Sequence, residues 1–90
     1  MERVGQITIH KPIGESKQWS IYEELTGGLG VQTNHAAEQA LRRTMKKIAP
    51  DFLRRVEFDT EGDGVAVYAD TESDIRAVAK IVDEMLRAEL

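Results

Sequence analysis

An α+β fold is the class this chain predicts. Two stretches with strand period, Val56–Asp59 and Val65–Ala69, face each other across the acidic turn Gly62-Asp63-Gly64. Apolar stripes with helix period flank that hairpin on both sides. A lone hairpin is barely stable in water, so helices must cover one of its faces. The implied architecture is a two-layer sandwich in the order β-α-α-β-β-α, a small three-stranded sheet with its helices packed on one face.

Each element has its own signal. Val4 to His10 reads as the first strand, with Ile7 and Ile9 on one face, and Lys11-Pro12-Ile13-Gly14 ends it. A helix is expected from an N-cap at Ser16 to about Leu25, because Trp19, Tyr22 and Leu25 fall three apart. That spacing puts Trp19 in the core. Gly27 and Gly28 stop the helix, and Thr26 to Gln32 reads as a loop. Thr33 or Asn34 caps the next helix, whose stripe is Ala37, Leu41, Met45 and Ile48. Pro50 ends it, and Asp51 and Phe52 lead into the hairpin. In the hairpin, Val56 and Phe58 alternate with Glu57 and Asp59, and Val65, Val67 and Ala69 alternate with Ala66 and Tyr68. Thr71 with Asp74 approximates a capping box for the last helix. Its buried face is Ile75, Val78, Val82, Met85 and Leu86. Arg76, Lys80, Asp83, Glu84 and Arg87 are expected to face water, with Lys80–Glu84 and Asp83–Arg87 paired at i,i+4.

Ninety residues make one domain, residues 1–90, with a single core. The absence of cysteine rules out disulfides, thiolate chemistry and zinc–cysteine sites. No secretory leader pattern opens the chain, and no apolar run nears the roughly 18 residues of a membrane span, so the expected location is the cytoplasm. Charge is distributed unevenly: residues 1–31 sum to −1, residues 32–55 to +4 and residues 56–90 to −7. An acidic face of that kind repels nucleic acid and attracts basic protein surfaces.

No catalytic constellation is expected. His10 and His35 are 25 positions apart and neither has a motif around it, no serine sits in a nucleophile elbow, and nothing calls for a cofactor. Residues Asp59 to Asp70 carry oxygens at calcium-loop spacing. Their flanks alternate as strands, however, where a calcium loop has helices, so a hairpin turn with a solvated acidic rim is the reading and no metal is expected. The element order also matches one type of K-homology domain, with Gly27-Gly28-Leu29-Gly30 at the place of its phosphate-clamping loop. That loop carries no Lys or Arg. The basic residues Arg42, Arg43, Lys46, Lys47, Arg54 and Arg55 favour nucleic acid; the net charge of −4 opposes it.

Val56-Glu57-Phe58-Asp59-Thr60-Glu61, Val67-Tyr68-Ala69 and the acidic cap Asp70-Thr71-Glu72 resemble corresponding segments of small bacterial immunity proteins that neutralise polymorphic toxins, the immunity-protein family numbered fifty-one. Ala49-Pro50-Asp51-Phe52-Leu53 resembles that family's approach to its hairpin. The stretch Trp19 to Glu24 with its glycine-rich loop resembles its preceding helix and loop. Where the family carries a Tyr-Asp-Trp cluster, this chain has Val31-Gln32-Thr33-Asn34-His35. The resemblance implies a cytoplasmic protein that is not an enzyme and that blocks a cognate toxin by stoichiometric binding, a nuclease being one such toxin. The expected contact residues are the acidic rim Glu57, Asp59, Glu61 and Asp63. The alternatives are a K-homology-like nucleic-acid binder and a small structural or regulatory interaction domain.

Overall fold

A computed structural model describes residues 2–89. The elements are β1 (Glu2–Val4), β2 (Ile7–Ile9), β3 (Trp19–Glu23), α1 (Thr26–Leu29), α2 (Asn34–Ile48), α3 (Pro50–Leu53), β4 (Val56–Phe58), β5 (Val65–Ala69) and α4 (Glu72–Leu86). The fold is α+β, with an antiparallel three-stranded sheet in the order β3-β5-β4. β1 and β2 form a separate antiparallel hairpin, joined to the sheet through a bridge between His10 and Ser20. Helix α4 packs on β1, β2, β3 and β5, and α2 packs on β5.

The expected β-α-α-β-β-α order is corrected at its first two elements. The stretch read as one strand from Val4 to His10 is a hairpin. Gly5 turns the chain at φ +58°, and a Cβ there would fall 2.2 Å from the Asp83 carboxyl carbon, so only glycine fits. Asp83 receives the Gln6 amide at 3.0 Å and pairs with Arg87 at 3.0 Å. It is buried rather than facing water.

The helix expected from Ser16 to Leu25 is a loop followed by strand β3. Within Trp-Ser-Ile-Tyr-Glu a period of two competes with the period of three, and the ladder to β5 decides for two. Ile21 is buried, Trp19 is half-buried against the core, and Tyr22 points the other way. The third strand of the sheet is thus β3, not the segment at the N-terminus.

The remaining elements follow their signals closely, except that Ile48, expected on the buried stripe of α2, is 49 % exposed at its last turn. Thr33 caps α2, accepting from the Ala36 amide at 3.0 Å, and Thr71 caps α4, accepting from Asp74 at 3.1 Å. Pro50 stops α2 and opens the single turn α3, which buries Phe52 where a plain lead-in was expected. Within the stretch read as a loop, Thr26–Leu29 makes one helical turn, closed by Gly30 in the left-handed region at φ +67°.

Core side chains come from both layers: Ile21, Val56, Val65, Val67 and Ala69 from the sheet, Ile7 and Ile9 from the small hairpin, Ala37, Leu41 and Met45 from α2, and Ile75, Val78, Ala79 and Val82 from α4. Each large apolar side chain buried this fully contributes about 1.5–3 kcal/mol. Strand alternation at β3 makes neighbouring substitutions unequal. Ile21→Ala is expected to cost about 2–4 kcal/mol and Ser20→Ala less than about 0.5 kcal/mol, measured as shifts in the urea midpoint.

Candidate protein-binding face

Helices cover only one side of the sheet, so the other side is open. The register sorts the residues. Trp19, Ile21, Val65, Val67, Ala69, Val56 and Phe58 share the inner face. Ser20, Tyr22, Ala66, Tyr68 and Glu57 share the outer one. Asp59 donates its amide to Ala66 O at 3.0 Å, and Glu61 bridges Gly64, which continues the outer file along the edge. Glu57, Asp59 and Glu61 therefore line one border of the open face, with Asp63 at the hairpin tip; all four are exposed.

The centre of the face is aromatic. Tyr22 is 44 % exposed, and its ring lies over Gly64, where a Cβ would meet it at 2.8 Å. Tyr22 and Tyr68 flank a groove of about 370 Å³, also lined by His10, Lys11, Ile13 and Ser20. Ile13 stands 82 % exposed on a turn closed by Ser16 N donating to Ile13 O. The Tyr22 phenol is pushed above its ordinary pKa, first by local shelter, then by the negative charges of Asp63 and Glu61 and by Tyr68. Asp63 and Glu61 at the hairpin tip thus act on the Tyr22 phenol directly.

Asn34 positions the tip. It is buried at the start of α2, accepts the Leu25 amide at 2.9 Å and donates to Gly62 O at 3.0 Å. One side chain thus ties the end of β3 and the tip of the hairpin to α2. Glu24, next to Leu25, folds back onto the Thr26 hydroxyl and amide, which hold its carboxyl below the usual range.

The six basic residues lie apart from this face, in the helical layer and just before β4. Arg42 pairs with Glu38 at 2.7 Å and stacks over Phe58 at 4.1 Å; Arg54 pairs with Asp51; Arg55 pairs with Asp74 at 3.3 Å and lies over Phe52. Among the described residues, Arg43, Lys46 and Lys47 make no ion pair. Glu38 keeps its carboxyl below its ordinary pKa. Partial burial opposes this, but the nearby Thr60 hydroxyl, Arg42 and His35 outweigh it. The Thr60 hydroxyl closes no hydrogen bond of good geometry, so Arg42 is the firmer partner.

Gly27-Gly28-Leu29-Gly30 does not sit between two helices as a K-homology clamp requires. It forms the turn after β3, with Gly28 against the Leu86 side chain. Residues 59–70 run as hairpin tip and strand, not between helices, and among the described residues no three metal-ligating side chains gather. His35 is exposed at the start of α2. Sequence reasoning put the four acids on the hairpin border but missed Tyr22 beside them and the groove that His10 and Ile13 line on the far side of Tyr22 and Tyr68. Alternation of Ile21 with Tyr22 was the signal that would have found Tyr22.

Fold and face together define a small α+β domain with an open sheet, aromatic at its centre and acidic along one border. Comparison with protein-family models, curated proteins and solved structures returns no match.

Two outcomes test this geometry. Asn34→Ala leaves a buried amide and a carbonyl unpaired and is expected to cost about 2–3 kcal/mol in chemical denaturation. Asn34→Asp, which turns a carboxylate oxygen toward the Gly62 carbonyl in a buried site, is expected to cost at least as much at neutral pH. For Glu38, a carboxyl with a lowered folded pKa stabilises the fold fully above its unfolded pKa, and this is lost as pH falls through the folded value. The stability gap between wild type and Glu38→Gln should therefore close on acidification below the ordinary glutamate range, read from urea midpoints across pH.

Proposed function

We propose that this domain acts by binding another protein on the open face of its sheet. The reading rests on one observation: Tyr22, exposed, and Tyr68, half-buried, lie beside a border of exposed carboxylates, Glu57, Asp59, Glu61 and Asp63. Tyrosines are rigid amphipathic anchors for an interface. A carboxylate border speeds the approach of a positively charged partner and fixes its orientation. The partner class is a basic protein surface. The specific partner is a bacterial toxin domain, blocked by stoichiometric occlusion in the cytoplasm, and a nuclease with a basic active site suits the border. This specific step draws on the resemblance of Val56–Glu61 and Val67–Ala69 to immunity proteins.

Among the described residues no helix is long and apolar enough to cross a membrane. Nucleic acid is the poorer occupant, because the carboxylates of the open face repel phosphate.

The test is co-purification with the protein encoded beside this chain, followed by calorimetry. The quadruple variant Glu57→Gln, Asp59→Asn, Glu61→Gln, Asp63→Asn is expected to weaken binding about tenfold or more and to flatten its salt dependence. At low ionic strength the wild type should pass through immobilised heparin unretained. Unchanged affinity and salt dependence in the variant would remove the acidic border from the interface. Retention on heparin that Arg43→Ala, Lys46→Ala and Lys47→Ala together abolish would favour a nucleic-acid ligand at the helical layer.

A further inference from the structure

The groove between Tyr22, Tyr68 and the Ile13 turn differs in chemistry from the acidic border beside it, and we infer that it binds a small aromatic carboxylate. A loop walls it on the β2 side. His10 and Ser20 close the base of that loop through two backbone hydrogen bonds, His10 N to Ser20 O at 2.9 Å and Ser20 N to His10 O at 3.0 Å. Within the loop, Ser16 N donates to Ile13 O at 3.1 Å, and Gln18 N donates to the Ser16 hydroxyl at 3.2 Å. A loop whose ends meet and which is tied within itself makes a standing wall. Ser20 and Tyr68, paired across β3 and β5, are half-buried at its foot.

The side chains around the groove donate hydrogen bonds and carry no negative charge. His10, Lys11, Ser16, Gln18, Ser20 and both tyrosines each bear an N–H or O–H, and no carboxylate lines the groove. Lys11 supplies the one fixed positive charge and, among the described residues, makes no ion pair. A donor-rich site with one cation matches a group that only accepts and carries a single charge, which is a carboxylate. Phosphate fits less well, because no arginine and no second lysine lines the groove to meet its further charge.

Neighbouring acids leave this end of the face to an anion. In the row His10, Ser20, Tyr68, Glu57, the last residue stands three strand spacings from the first, about 14 Å at about 4.8 Å per step. That exceeds the screening length of about 8 Å at physiological salt. Glu61, level with Gly64, is two rows further toward the hairpin tip. Glu2, beyond the Lys11 turn, is already paired with Arg76. On the loop itself the charges of Glu15 and Lys17 cancel.

Shape sets the body of the ligand. Tyr22 pairs with Ala66 and Tyr68 with Ser20, so the tyrosines are diagonal neighbours with backbones about 7–8 Å apart. Aromatic rings prefer centroids about 4.5–7 Å apart, so a planar ring in the groove reaches both. Ile13, exposed at the rim, gains cover from the same ring. The groove's volume of about 370 Å³ suits one or two rings. With the carboxylate toward Lys11 and the ring toward the tyrosines, the negative end also points away from Glu57.

The groove shares Tyr22 and Tyr68 with the proposed protein interface but draws on opposite charge, and the chain alone suffices to test it. Two-dimensional amide NMR of the labelled chain, titrated with sodium benzoate and with indoleacetate, decides the matter. Both acids are expected to give saturable shifts at His10, Lys11, Ile13, Ser20 and Tyr68, with a dissociation constant on the order of 1 mM for a single ring. Benzamide keeps the ring without the charge, and acetate keeps the charge without the ring; each is expected to bind at least about tenfold more weakly. Lys11→Met, on an exposed loop, should weaken benzoate about tenfold and leave benzamide unchanged, with its folding checked by urea midpoint. The inference is overturned by an absence of saturable shifts at the groove up to about 20 mM benzoate, by benzamide binding as well as benzoate, or by a Lys11→Met variant that binds benzoate like wild type. Shifts that gather instead at Arg43, Lys46 and Lys47 mark general anion binding on α2 and overturn it equally. A chain that binds its neighbouring protein but no acid removes only this inference; one that binds the acid but no protein removes only the proposed function.

Discussion

Two hydrogen bonds made by one buried amide hold the open-faced side of this molecule together. Asn34 joins Leu25, nine residues before it, to Gly62, 28 residues after it. Without that clamp the hairpin tip would be tied to the body only through its own strands. With it, the tip is fixed against β3, and Gly64 comes under the Tyr22 ring. A satisfied polar group in a low-dielectric interior specifies one arrangement, because every alternative leaves a donor or acceptor unpaired. Asp83 plays the same part on the other side of the fold. It takes the Gln6 amide and leaves room only for glycine at position 5. Apolar burial drives the two layers together, and these two polar side chains set where the outlying hairpins come to rest.

Local signals made α2, α4 and the β4–β5 hairpin legible. Their caps, Thr33 and Thr71, act within three residues, and their stripes repeat over four turns. β3 was illegible for a reason visible in its five residues. Trp19, Tyr22 and Leu25 satisfy a helix, while Trp19, Ile21 and Glu23 satisfy a strand, and the choice is made by β5, more than 40 residues away. Likewise nothing near Gly5 announces a turn; its reason is Asp83 on the last helix. Asp83 itself looked like half of a solvated pair with Arg87. That pair exists, yet the carboxylate is buried because it also holds the turn. The acids of the candidate face could be read from strand parity alone. Its aromatic centre could not, since a helix would have sent Tyr22 toward the core.

Layering also sorts charge. In a two-layer fold the helices carry their solvated residues on the side away from the sheet, and Arg43, Lys46 and Lys47 lie on α2 accordingly. The edge strand β4 carries its carboxylates on the opposite side of the molecule. An uncovered sheet face with an unpaired edge invites indiscriminate strand addition, and short, charged edge strands are the usual defence. β4 has only three residues, one of them Glu57, and Asp59 and Glu61 extend the charge toward the tip. The carboxylates that border the open face thus also discourage growth along its edge.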